Sequence, residues 1–271
     1  MVLAGGLAMF GGATTAALAA GDRVPVVGAA VAQGSGPQTQ AQVELPARDV
    51  TEVVERHELR VVEEALPAAV EPLDGDLVGP DGMTLEDRMA GLLSREAPYS
   101  ASGHLTVVPG AEPAPHPDRT VRTVRVEVED GLDVDGQVFA RMVMDILNDP
   151  RGWGGDGSMS FARTDGSAQI RVVLASPATV DAMCAPLRTR GVYSCGRNGH
   201  AAINYTRWVE ATEEFDDLTV YRQYVVNHEV GHLLGRKHVG CPGDGMLAPI
   251  MQQQSIQVAP CVPNGWPFPD G

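Results

Sequence analysis

The chain has 271 residues and a formal charge of −15, with 20 Lys and Arg against 35 Asp and Glu. That balance excludes a nucleic-acid partner, because a phosphate backbone is held by clustered cations. A hydrophobic share of 44% is enough for a packed core within one or two domains.

Met1 to Ala20, MVLAGGLAMFGGATTAALAA, is apolar, rich in small residues and uncharged. It predicts an export segment, either a cleaved signal peptide or a retained membrane anchor, although no Lys or Arg precedes the apolar run. Residues 21–101 are acidic and rich in Pro and Gly, as in AQGSGPQTQAQVELPARD and VEPLDGDLVGPDG. Such a composition buries too little apolar surface to offset the entropy of ordering, and predicts a disordered spacer.

From Ser102 the texture changes, and residues 102–271 are expected to form the folded domain. RTVRTVRVEVE (Arg119–Glu129) alternates apolar and polar residues with period two and predicts a strand. GQVFARMVMDILND (Gly136–Asp149) has helical spacing through Val138, Met142 and Ile146, and Pro150 ends it. QIRVVLAS (Gln169–Ser176) predicts a second strand, and HAAINYTRW (His200–Trp208) a third, after a turn at Asn198-Gly199. A long helix then starts near Asp217, followed by an irregular Pro- and Gly-rich tail. This order predicts an α/β (α+β) fold.

The long helix runs into HEVGHLLGRKH, His228 to His238, which holds three of the seven histidines. Residues four apart share one helical face, so His228 and His232 can aim at one ion. Continued helix would carry His238 about 9 Å further along the axis, so the helix has to stop between them. Gly235 stands where a glycine can take positive φ and turn the chain back. Three neutral imidazoles leave an open position, the arrangement of a catalytic Zn2+ ion. Glu229 is turned about 100° from His228 around the axis, close to such an ion without being forced to ligate it. It is placed to act as general base toward a zinc-activated water.

The motif resembles the H-E-x-x-H-x-x-G-x-x-H pattern of the metzincin zinc peptidases. With VEVEDGL, DPRGW, LASPATVDAMC, YRQYVVNHEVGHLLG, CPGDG, APIMQQQ and PNGWP, the chain from about 102 to 269 is similar to the actinobacterial DUF3152 family of exported metzincin-like proteins. The resemblance implies a twisted mixed sheet with a backing helix, an active-site helix, and a small C-terminal subdomain carrying the third histidine and a Met-turn. Met251, in a Pro-bearing turn, is expected to be that methionine in preference to Met246. Gln253 stands where several metzincins have a tyrosine that assists the oxyanion.

The four cysteines, Cys184, Cys195, Cys241 and Cys261, allow three pairings, of which Cys184–Cys195 and Cys241–Cys261 are favoured as local in sequence. Cys241, three residues after His238, is alternatively a zinc ligand. Arg222 is expected to pair with a buried acid, and Tyr221, Tyr224 and Trp208 to pack in the core or cleft wall. The whole predicts an exported zinc metalloendopeptidase, possible membrane anchoring through the N-terminus included. A peptide substrate would lie extended along an edge strand within Tyr193–Tyr205. A catalytically silent, zinc-containing cell-envelope module and a hydrolase of a non-protein envelope amide are the alternatives.

Overall fold

The structure is a computed structural model that describes residues 78–271. The segment expected to direct export and most of the expected spacer lie outside the described residues. Among the described residues no helix is long and apolar enough to cross a membrane.

A mixed six-stranded sheet forms the frame. Strands β2 (Thr120–Glu129), β3 (Met159–Arg163), β4 (Ile170–Ala175) and β6 (His200–Asn204) are parallel, while β1 (Leu105–Val107) and β5 (Cys195–Arg197) run antiparallel to their neighbours. The order is β1-β2-β4-β6-β5, with β3 pairing along the first half of β2. The alternation read in β2 holds: Val124 and Val126 are fully buried in the main core, and Glu127 and Glu129 project to the other face. There Glu127 pairs with Arg125 and Arg171 at 2.8 and 2.6 Å, and Glu129 accepts from Ser176 and Gly103 N–H groups and the Thr179 hydroxyl. Buried carboxylates are tolerated because both oxygens of each find a donor.

Helices α2 (Gly136–Asn148) and α5 (Leu218–Leu233) share the main core with the sheet. Asp135 caps α2 by accepting from the Gln137 and Val138 N–H groups, and Asp217 caps α5 by accepting from Val220. Phe139 of α2 meets Trp208 edge to face at 5.1 Å, a contact that adds about 0.5–1.5 kcal/mol to the burial itself. On the opposite face, α3 (Pro177–Cys184) packs Val180 against Val173, Ala175 and Ala202. After α5 the chain is irregular to its end, and buried side chains replace the missing ladders. The Gln254 side-chain amide donates to Asn264 O and accepts from Asn264 N–H, both at 2.9 Å, and the Asn264 side chain donates to Ala248 O.

Two expectations are corrected. The folded unit does not begin at Ser102: Met83, Ala90 and Leu92 are buried in the main core, and α1 (Leu85–Met89) carries the fully buried Asp87. Composition hid this segment because its attachment rests on few apolar residues and one charge. The strand expected over His200–Trp208 stops at Asn204, whose side chain accepts from Arg207 N–H and starts α4 (Tyr205–Glu210). Capping by Asn outweighed the β-propensity of Tyr and Trp.

Candidate metal centre

Helix α5 is buried on several sides, from Tyr221 through Gly231, because the sheet and α2 cover one flank and the C-terminal segment another. It ends where the sequence predicts. Gly235 has φ 83°, its N–H donates to His232 O at 3.0 Å, and the Arg236 N–H donates to Gly231 O at 2.9 Å. That pair of bonds is a Schellman cap. Nothing lies within 4 Å of a Cβ built at Gly235, so the glycine is needed for its conformation and not for space. A Cβ-bearing residue in this region costs about 1–2 kcal/mol. Gly235→Val is therefore expected to weaken zinc binding roughly tenfold with all three histidines present. Calorimetric titration reads this, and unchanged affinity would show that the turn does not place His238.

The turn brings His238 back onto the helical pair. The candidate donor atoms of His228, His232 and His238 all lie within 4.8 Å of one another, and the Nε2 atoms of His232 and His238 are 3.0 Å apart. Two nitrogens on one tetrahedral zinc would stand about 3.3 Å apart. The second nitrogens fix the tautomers. His228 Nδ1 lies 2.9 Å from Ile250 O and His232 Nδ1 lies 3.1 Å from Arg236 O. A carbonyl only accepts, so each Nδ1 carries the proton and each Nε2 presents a lone pair. Burial pushes His228 down to about 3, with the other two histidines acting in the same direction, and burial also lowers His232 and His238. The neutral imidazole that results is the form that binds metal. Donor type, tautomer and spacing fit a Zn2+ ion.

Glu229 lines the same cleft, of about 550 Å³, as the three histidines. Burial pushes its carboxyl up to about 8, and the Gly196 N–H, which favours the charged form, offsets this only in part. A cation at the histidines acts in the opposite sense. Strand β5 forms one side of the cleft through Cys195 and Gly196, and lies at the end of the sheet, inside the Tyr193–Tyr205 stretch expected to supply an edge. Gly196 presses directly on α5: a Cβ there would overlap the Glu229 carbonyl oxygen and come within 2.9 Å of His232 Cβ.

Met251 is buried below α5, whereas Met246 is 53% exposed. A Cβ at Gly231 would stand 2.5 Å from Met251 Sδ and 2.7 Å from the Trp153 ring, so this glycine inside the motif makes room for both. The Met251 carbonyl accepts from Val239 N–H at 3.2 Å, joining the His238 segment to the methionine turn. Trp153 Nε1 donates to Asn227 O at 2.9 Å, and buried Asn227 donates to Gly265 O. Cys241 pairs with Cys261, and Cys184 with Cys195, so Cys241 is no zinc ligand. Gly196, Gly231 and Trp153 escaped the sequence reading. The signals were a lone glycine in a short strand, which marks close backbone approach, and a tryptophan in a Gly-rich turn.

The DUF3152 family, described as a protein of unknown function, matches residues 93–262. The chain belongs to the DUF3152 family. No curated protein and no solved structure matches it. The span of the match takes in every residue of this DUF3152 site, from β5 and its preceding loop to Met251. It also begins upstream of Ser102, in keeping with the burial of Leu92.

Proposed function

We propose that this DUF3152 protein is a metzincin-like, zinc-dependent peptide hydrolase. The observation that carries the reading is one cleft in which His228, His232 and His238 converge beside Glu229, its one lining carboxylate. Zinc held by His228, His232 and His238 would supply Lewis acidity toward a water and toward the carbonyl to be attacked. Glu229 takes the proton from that water and returns it to the departing amine, so no covalent enzyme intermediate forms. The backbone of β5 offers an extended peptide an added strand, which holds the scissile bond over Glu229. Gln253, which also lines the cleft, has an amide able to donate toward the oxyanion. The two disulfides fit an oxidising compartment and so support export.

The test compares the chain with its Glu229→Ala variant for zinc content and for hydrolysis of a peptide library. Both are expected to hold one zinc, with hydrolysis falling by about 10²–10⁴-fold in the variant. A wild-type protein that binds one zinc and cleaves nothing would rule out the peptidase reading and leave a binding module.

A further inference from the structure

The loop from Cys184 to Cys195 forms one wall of the cleft through Leu187, Arg188, Thr189 and Arg190. Its shape is set from several directions. The disulfide closes it, and Asp181 accepts from the Thr189 hydroxyl and, at 2.8 Å, from the Gly191 N–H. Arg197 donates to Cys184 O at 2.8 Å and Arg207 to Val192 O at 3.2 Å. Thr189 is thereby buried at 5% exposure, while Arg188 and Arg190 on either side of it are exposed. Arg190 holds φ 58°, a conformation a non-glycine residue adopts only when its surroundings impose it.

Neither guanidinium has an ion-pair partner or a hydrogen bond among the described residues, although Arg88, Arg125, Arg151, Arg163, Arg171 and Arg222 all do. Glu229 is the one carboxylate lining the cleft. Arg122, Arg141 and Lys237 are unpaired as well, but Arg188 and Arg190 are the only Arg or Lys residues that line the cleft, and they stand on a wall whose shape is fixed. We propose that Arg188 and Arg190 are specificity-determining residues that select peptides with Asp or Glu side chains beside the reacting bond. The proposal rests on the peptide-hydrolase reading and deepens it by naming a substrate class. Arginine suits the task because its fork matches a carboxylate bidentately and it loses little hydration on pairing. The net charge alone would draw basic peptides, so the local wall and the global field predict opposite preferences.

Fluorescence polarisation separates them. The zinc-loaded full chain carrying Glu229→Gln, which holds peptide without turning it over, is titrated into three labelled Ala/Gly nonapeptides. Their central pairs are Glu-Glu, Gln-Gln and Lys-Lys. The Glu-Glu peptide is expected to bind about tenfold more tightly than Gln-Gln, and Lys-Lys the most weakly. In the Arg188→Ala, Arg190→Gly variant the Glu-Glu advantage is expected to disappear, and in Arg188→Lys, Arg190→Lys to persist in part. Glycine at 190 keeps the positive φ, and unchanged circular dichroism and zinc content verify the fold. Lys-Lys binding as tightly as Glu-Glu, an acidic preference that survives the double variant, or no binding of any peptide would each overturn the proposal. Binding is read without bond cleavage, so an acidic preference in a wild-type protein that cleaves nothing would sink the hydrolase reading alone.

Discussion

Gly196→Ala is expected to lower hydrolysis about a hundredfold or more and to weaken zinc binding, though no ligand and no proton-transfer residue is itself replaced. The new methyl would occupy the space of the Glu229 carbonyl oxygen and crowd His232 Cβ. Both neighbours belong to a helix packed on the sheet and on α2, so neither yields as the far end of a flexible side chain would. Strand and helix must part, and displacement of about 1 Å at a reacting centre is enough for a hundredfold loss. Overpacking itself costs about 1–3 kcal/mol. Zinc affinity by calorimetry, kcat/KM with a cleaved peptide and the melting temperature together test this. A variant with wild-type kcat/KM would mean that β5 does not set the position of the helix.

Asp87→Ala is expected to destabilise the protein by about 3–5 kcal/mol, a fall in Tm of roughly 6–20 °C for a domain of this size. Arg222 and Asp87 are both fully buried and 3.0 Å apart, and Arg222 also donates to Trp208 O and Glu86 O. Removal of the carboxylate strands a guanidinium in the core with only two neutral acceptors. Burial alone would raise Asp87, but Arg222, the Thr84 N–H and Arg95 outweigh it and hold its pKa below 3.8. A depressed folded-state pKa stabilises the native protein above the unfolded value, and that contribution fades as pH falls through the folded one. The gap between wild type and variant in thermal melts should therefore be full at neutral pH and begin to shrink only below about pH 4. A gap independent of pH down to acid unfolding would assign the loss to packing and not to charge.

The parts of the site that the sequence disclosed are those whose geometry is local. His228 and His232 share a face by helix periodicity, and the position of Gly235 follows from the need to bring His238 back within a few residues. β2 was legible because its two faces meet different surroundings, an apolar core and a set of arginines. Tertiary encounters were not legible. Gly196 matters because of a helix that arrives later in the chain, and α1 belongs to the fold through Asp87, whose partner is 135 residues away. Trp208 read as strand because periodicity over nine residues cannot reveal that Asn204 would cap a helix.

The fit beneath Gly231 makes the chemical lifetime of the site depend on one sulfur atom. Oxidation of Met251 to its sulfoxide adds a polar oxygen where even a methyl on the helix above has no room. Met246 is 53% exposed, so its sulfur has room on the solvent side for the same added oxygen. An oxidant therefore reaches the Met246 sulfur before that of Met251, and damage beneath α5 lags behind the first oxygen taken up.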